Sequence, residues 1–238
     1  MPAAETPERV LMICAHPDDV DFGSAGSMAL WSKAGAAVTY CLVTSGDAGG
    51  SDRSSTRHER AALRESEQRA AAATVGVTDV RFLGYPDGRV EYSLELRRDL
   101  ARVIRQVRPD RVLTQSPLVN LDRIYASHPD HLATGQAALA AVYPDSRNPF
   151  AFPELLEEGL EPWTVPEVYI GGGPKPDVAV DITDVIELKV AALLCHKSQI
   201  ADPDAMSTMI HEWAASNAQS FGLAEGRLAE VFRRVATV

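Results

Sequence analysis

Residues 9–19 read RVLMICAHPDD. The run from Arg9 to Ala15 is apolar at every position after its first, and the polar tetrapeptide His16–Asp19 follows at once. A short, continuous apolar run suits a central strand buried on both faces. Outward from it, Ser24 to Ala34 reads as a helix closed by Gly35, and Ala37 to Thr44 (AVTYCLVT) as a second strand, β-branched and aromatic. The glycines and serines of Ser45–Glu59 (SGDAGGSDRSSTRHE) predict an exposed loop before a long Ala/Arg/Glu helix that runs to about Val75. Val80 to Leu83 is a third strand, Leu94 to Val107 a helix stopped by Pro109, and Arg111 to Gln115 a fourth strand. Short apolar runs alternating with amphipathic stretches are the pattern of βα units, so the expected class is α/β with a mostly parallel central sheet.

The last third is less regular. Pro144, Pro149, Pro153, Pro162, Pro166, Pro174 and Pro176 break up any long element, and an irregular excursion is expected there. Val178 to Ile182 then alternates like a half-buried strand. Thr183 or Asp184 can cap a helix running to about Gln199, and one or two more helices are expected to finish the chain.

The 238 residues, 45% of them hydrophobic, can build a sizeable core, read as one domain over 1–238. With 33 acidic against 23 basic residues and a net charge of −10, the chain repels phosphates on average, which argues against nucleic acid or anionic lipid and for a small molecule. Cys14, Cys41 and Cys195 lack CxxC spacing and read as buried free thiols of a reducing cytosol. The N-terminus, MPAAETPERV, carries no targeting pattern, and no segment reaches the roughly 18 apolar residues of a membrane span. Cytoplasmic localisation is the default expectation. A homo-oligomer is compatible with the sequence, which carries no code for its order.

Two tetrapeptides stand out: HPDD at His16–Asp19, after the first strand, and HPDH at His128–His131, shortly after the fourth. In open parallel sheets the C-terminal strand edge is where ligands bind, so the two loops are expected to meet in one crevice. A catalytic zinc site wants three N or O ligands and one open position, and His16, Asp19 and His131 offer such a set. Asp18 is then left over beside the metal as a candidate general base for a zinc-activated water. His128 is left over too. Its protonated ring could stabilise an oxyanion or protonate a leaving amine, with Asp130 orienting it.

Taken singly, each motif has a plainer reading. A lone histidine is more often a hydrogen-bonded core or surface residue than a ligand, and an Asp-Asp pair after a strand is more often a turn or helix cap. Yet three of the six histidines fall in two near-identical Pro-Asp cassettes, a concentration that solvated loops do not require. His58 and His211 lie in polar surroundings and read as solvated. His196 reads as a helix contact near the sheet.

AHPDDVDFG at Ala15–Gly23, with HPDH before a helix, resembles the LmbE-like, or PIG-L, family of zinc-dependent de-N-acetylases. TSGDAGG at Thr44–Gly50 looks like that family's TxGExG loop, with Asp47 where the acidic residue is usually glutamate. Arg64, Glu67 and Ala71, followed by VGV, look like its R-x-x-E-x-x-x-A helix. Asp87 in GYPDG matches an acidic position after the third strand, and LKVAALLCHKSQ at Leu188–Gln199 resembles a C-terminal helix motif. The resemblance covers most of the chain but leaves the Pro-rich stretch from about Tyr143 to Pro176 unmatched. It implies a Rossmann-like three-layer fold, zinc on His16, Asp19 and His131, Asp18 as base and His128 as electrostatic catalyst. It further implies substrate contacts from Arg64, Asp87 and Asp47, typically to an N-acetylglucosaminyl group. For Arg64 a helix-surface pair with Glu67 is the plainer alternative, and for Asp87 a turn.

The leading expectation is therefore hydrolysis of an N-acetyl group from an amino sugar or its conjugate. A second reading keeps the zinc but cleaves a larger amide, such as a glucosamine-linked thiol conjugate. A third is a Rossmann-like binding module without catalysis, against which stands the lack of GxGxxG after the first strand.

Overall fold

Alternate side chains of β1 (Arg9–Cys14) enter two different cores. Val10, Met12 and Cys14 pack on one face, Leu11 and Ile13 on the other. β2 (Ala37–Thr44) repeats this, with Val38, Tyr40 and Leu42 on the first face and Cys41 and Val43 on the second. Both faces of the sheet must then be covered, which explains why these strands read as unbroken apolar runs. The computed structural model describes residues 6–51 and 53–238. Of the N-terminal stretch read as free of a targeting pattern, 1–5 lie outside the described residues.

The other strands are β3 (Asp79–Tyr85), β4 (Arg111–Gln115), β5 (Glu167–Gly171), β6 (Val178–Asp181) and β7 (Ala229–Ala236). The helices are α1 (Asp19–Gly23), α2 (Ala25–Lys33), α3 (Arg57–Thr74), α4 (Leu94–Val107), α5 (Pro129–Ala140), α6 (Glu154–Glu157), α7 (Ile186–Leu193) and α8 (Pro203–Ser220). α2, α3, α7 and α8 cover the first face through residues such as Met28, Ala71, Val190 and Ile210, while α4 and α5 cover the second through Leu100, Ile104 and Ala137. The result is a three-layer α/β sandwich, as the sequence led us to expect.

The sheet order is β3-β2-β1-β4-β5-β7-β6, parallel from β3 through β5, with β7 antiparallel to both its neighbours. The chain leaves β1 towards one edge and returns beside it as β4, so the strand order reverses between these two. That reversal opens a crevice at their C-terminal ends. The β1–β4 ladder stops at Ile13 and Thr114; beyond it the backbone N–H of Ala15 donates to the side-chain carbonyl of Gln115 at 2.9 Å. His16 emerges on one side of this gap and the loop to α5 on the other.

The helix expected over Ser24–Ala34 is present as α2, with the short α1 before it and Ser24, φ −153°, between the two. Three local expectations are corrected. The Pro-rich stretch carries β5, a five-residue strand following Pro166 that inserts between β4 and β7. α7 ends at Leu193 rather than Gln199, and neither Thr183 nor Asp184 caps it, because Thr183–Val185 forms a 3-10 turn of its own. The chain finishes in a strand rather than a helix. Glu230, the second residue of β7, is buried where a strand pattern calls for an apolar residue. No described helix is long and apolar enough to cross a membrane.

Candidate metal centre and active site

His16 is the hub of the crevice. Its Nδ1 lies 3.2 Å from His131 Nε2 and 3.4 Å from Asp19 Oδ2, and His131 Nε2 lies 3.0 Å from Asp19 Oδ1. On its other edge, Nε2 lies 3.0 Å from Asp130 Oδ2 and 3.2 Å from Asp87 Oδ1. The segment after β1 is tied by its own carboxylate: the backbone N–H of His16 donates to Asp19 Oδ2 at 2.7 Å. His131 sits in the first turn of α5, whose Pro129 supplies no N–H and whose fixed φ starts the helix.

Zinc bound tetrahedrally at about 2.0–2.1 Å sets neighbouring N and O ligand atoms roughly 3.3 Å apart. The three separations among His16 Nδ1, His131 Nε2 and the Asp19 oxygens, 3.0–3.4 Å, match that edge. Each ring also rests its other nitrogen on an oxygen, His16 Nε2 on Asp130 and His131 Nδ1 on the Ala126 carbonyl at 3.4 Å. Such backing is the usual support of metal-ligating imidazoles. The donor set therefore fits the ion.

The charge balance points the same way. Asp18, Asp19 and Asp87 line the crevice, Asp130 stands behind His16, and among the described lining residues the permanent cation is Arg64. Burial works against a charged His16, but Asp130, Asp19 and Asp87 overcome it and push its pKa up to about 12. Burial likewise opposes charge on His131, and Asp19 outweighs it. Asp87 is held down to about 2, because His16 and the Ala48 N–H outweigh its burial. Asp130 is lowered by His16 and by the Gly88 and Val90 N–H groups, which donate to it at 2.7 and 3.2 Å, again against its burial. The pocket is built around positive charge.

Asp18 stands apart from this cluster. Its φ of 83° is left-handed, a conformation that costs a non-glycine residue about 1–3 kcal/mol. Burial and the neighbouring Asp19 raise its carboxyl to about 6, with Arg64 pulling the other way. Arg64, 4% exposed on α3, donates to Asp18 Oδ2 at 2.8 Å and to the carbonyls of Pro17 and Gly46 at 2.7 and 3.2 Å. Gly46, with φ +65°, passes so close that a Cβ there would lie 2.3 Å from Arg64 Nη1. Glu67 does not pair with Arg64; it accepts from the N–H and hydroxyl of Ser198 at 2.8 and 2.6 Å.

His128 caps α5, and its Nδ1 accepts the N–H of Asp130 at 3.2 Å. An Nδ1 that accepts carries no proton, so the ring proton sits on Nε2. Burial and the nearby His16 lower its pKa. One expectation is corrected here. The Asp130 carboxylate lies against His16 rather than His128, whose Nδ1 meets the Asp130 backbone N–H instead.

The crevice encloses about 350 Å³, and His16, Asp18, Asp19, Arg64, Asp87, His128 and His131 all line it. Asp47 does not. Its carboxylate takes Arg57 Nε at 2.5 Å and the N–H of Asp87 at 2.9 Å, and it faces a neighbouring hollow of about 250 Å³ that His58 also lines. His211 on α8 bonds the Ser207 carbonyl of its own helix and Glu187 of α7. His196 is buried with its Nε2 2.8 Å from Asp21 Oδ2, in keeping with a structural contact.

A family model described as GlcNAc-PI de-N-acetylase, PIG-L, matches residues 11–142. The chain belongs to the PIG-L family. The matched segment runs from β1 to α5 and so holds every residue of the cluster. Among PIG-L relatives, diacetylchitobiose deacetylase of Thermococcus kodakarensis is 33% identical over 82% of this chain and 71% of its own. A probable N-acetyl-alpha-D-glucosaminyl L-malate deacetylase 2 of Bacillus anthracis is 32% identical over 81% of each. The solved structure of N,N'-diacetylchitobiose deacetylase from Pyrococcus horikoshii, in complex with an inhibitor, superposes with a TM-score of 0.88 at 33% identity, covering 97% of this chain and 84% of that one.

Sequence reading missed Gln68, the Gly88 and Val90 N–H groups, and Tyr125 at the crevice rim. One signal was available. Arg64, Glu67, Gln68 and Ala71 share a helical face at i, i+3, i+4 and i+7, and all four are buried. Three polar residues on the inward stripe of an alanine-rich PIG-L helix have to be bonded to something. The backbone donors carry no signature in side-chain sequence.

Proposed function

We propose that the chain is a zinc-dependent hydrolase that removes the N-acetyl group from an N-acetylglucosamine-type amino sugar or its conjugate. The observation that carries this reading is the 3.0–3.4 Å convergence of His16 Nδ1, His131 Nε2 and the Asp19 carboxylate, with Asp18 beside it in the same crevice. Membership of the PIG-L family and the names of its relatives support the choice of bond and sugar.

His16, Asp19 and His131 are the residues that would hold zinc, which when bound supplies a Lewis acid and makes a water acidic near neutral pH. Asp18 takes the proton of the attacking water, and a carboxyl poised near 6 suits a base working at neutral pH. Arg64 turns the Asp18 carboxylate through one oxygen. The Nε2–H of neutral His128 donates to the charge that develops on the acetamide oxygen. As the C–N bond breaks, the proton held by Asp18 passes to the departing nitrogen, giving a free amine and acetate. Asp130 and the Ala126 carbonyl hold the two ligating rings, and Asp87, which lines the crevice, is the further carboxylate assigned to substrate contact.

The test is acetate release from N,N'-diacetylchitobiose, N-acetylglucosamine and an N-acetylglucosaminyl malate, with free amine measured in parallel. Equal amounts of acetate and amine are expected, lost on chelation and restored by zinc. A protein without stoichiometric zinc, or one that releases no acetate from any acetamido sugar, overturns the reading. Release of a larger acid from a glucosamine-linked amide in place of acetate replaces it with the amidase alternative.

A further inference from the structure

The HKSQ segment at the end of the C-terminal motif has no place in this chemistry, yet it grips the site from behind. His196 Nε2 lies 2.8 Å from Asp21 Oδ2, Ser198 donates twice to Glu67, and the Gln199 side chain lies against Gly49 and Gly50 of the crevice loop. Between His196 and the base stands Gln68, which is fully buried. Its Nε2 donates to Asp21 Oδ2 at 2.9 Å, and its Oε1 accepts the backbone N–H of Asp18 at 2.8 Å.

We infer that Gln68 is a positioning residue that holds Asp18 in its left-handed conformation, and that His196 acts through Asp21 to fix the orientation of the Gln68 amide. The inference rests on Asp18 being the base. Asp18 adopts φ 83° without being glycine, so the conformation persists only where surroundings impose it. Arg64 holds the carboxylate, the N–H groups of Asp21 and Phe22 in α1 hold the carbonyl, and Gln68 is the side chain that holds the backbone N–H.

An amide can bind either way round, and its partners decide which. If the Gln68 amide were flipped, NH2 would face the Asp18 N–H and carbonyl oxygen would face the Asp21 carboxylate, and both contacts would repel. Asp21 thus selects the useful orientation. Asp21 is itself fully buried, and among the described residues its Oδ1 has no hydrogen-bond partner, so Oδ2 alone carries its anchorage to Gln68 and His196. Cutting the His196 contact frees the carboxylate to turn.

The test compares Gln68→Met, His196→Leu, His196→Gln and the double variant Gln68→Met/His196→Leu with the wild type. Zinc content, KM and kcat are measured on N,N'-diacetylchitobiose, well below each melting temperature. Gln68→Met should lower kcat roughly tenfold to a hundredfold, the scale of a small misplacement of a reacting group, with zinc content and KM held. His196→Leu should fall in the same direction, and His196→Gln, which keeps a donor at similar reach, should recover most of the loss. The double variant should be no slower than Gln68→Met alone, because both cuts lie on one path. Multiplying losses, a kcat loss that tracks zinc content, or an unchanged kcat in Gln68→Met overturns the inference. Should Gln68→Met fail to fold, the His196→Leu and His196→Gln pair decides it: equal kcat in both overturns it. Activity in wild type that survives Asp18→Asn overturns the proposed reaction instead, and wild type that releases no acetate overturns both.

Discussion

Asp18 and Asp19 are neighbours in sequence with opposite fates. Asp19 faces two imidazoles, which hold its carboxyl well below the ordinary carboxylate value despite complete burial, whereas Asp18 is raised to about 6 by burial and by Asp19 itself. This division gives a first prediction. Asp18→Asn should keep stoichiometric zinc and lower kcat by roughly 10²–10⁴-fold, while His16→Ala should lose the metal, measured by elemental analysis and acetate release. Equal zinc loss in both would overturn the separation of roles. The second concerns pH. A base must be ionised to work, and a bound cation favours the carboxylate, so the acid limb of kcat should fall at or below pH 6; a limb above about 7 contradicts it. The sign for stability runs the other way. Because the fold raises the Asp18 pKa, its contribution to metal-free stability is present below the ordinary carboxylate value and is lost as pH rises through 6. The two cassettes were legible because His, Pro and Asp recur at fixed spacing. Where Asp130 points was not, since spacing along α5 does not say that its carboxylate reaches back to His16 across 114 positions.

At the scale of elements, the N-terminus of α2 is capped from the far end of the chain. Glu230 on β7 accepts the N–H groups of Gly26 and Ser27 at 3.0 and 2.8 Å, while Lys189 Nζ donates to it at 2.6 Å. The carboxylate satisfies free helix donors and neutralises a buried ammonium together. Glu230→Ala should therefore destabilise the fold by about 3–5 kcal/mol in urea unfolding, the cost of stranding a buried charge; a loss under about 1 kcal/mol would show that the pair is dispensable. α5 gives a further test. A Cβ on Gly135 would lie 2.2 Å from the Gln115 carbonyl, so Gly135→Ala should push α5 off β4 and cost about 1–3 kcal/mol. It should also weaken zinc binding, since α5 carries His131; unchanged zinc affinity would argue against that coupling. The strands β1 to β4 were legible as apolar runs. β7 was not, because Glu230 occupies an interior position and Arg233 and Arg234 follow it, leaving no alternation to read. β5 hid among prolines that interrupt the sequence around it but not the ladder itself.

Seen whole, the molecule places its chemistry where the strand order turns back on itself, between β1 and β4. The fold class was readable from the βα alternation, and so was the edge on which the loops meet. The position of the last strands was not, because pairing between β5, β7 and β6 depends on contacts that no local pattern records. The matched family segment ends at residue 142, yet β7 lies inside the sheet and is the strand that holds β6. Removing residues 222–238 should abolish cooperative thermal unfolding by circular dichroism and zinc binding with it. A truncated chain that melts cooperatively and keeps its zinc would mean that the N-terminal units stand alone.

The Glu230 cap also sets a clock. α2 and the loop that carries His16 and Asp19 are made early, and the carboxylate that closes the helix is made 204 residues later than Gly26. At about 5–20 residues per second, a ribosome leaves that helix end open for roughly 10–40 s. Until Glu230 has been made, the start of α2 lacks the carboxylate that satisfies its N–H groups, so the order of synthesis delays the closing of this helix end.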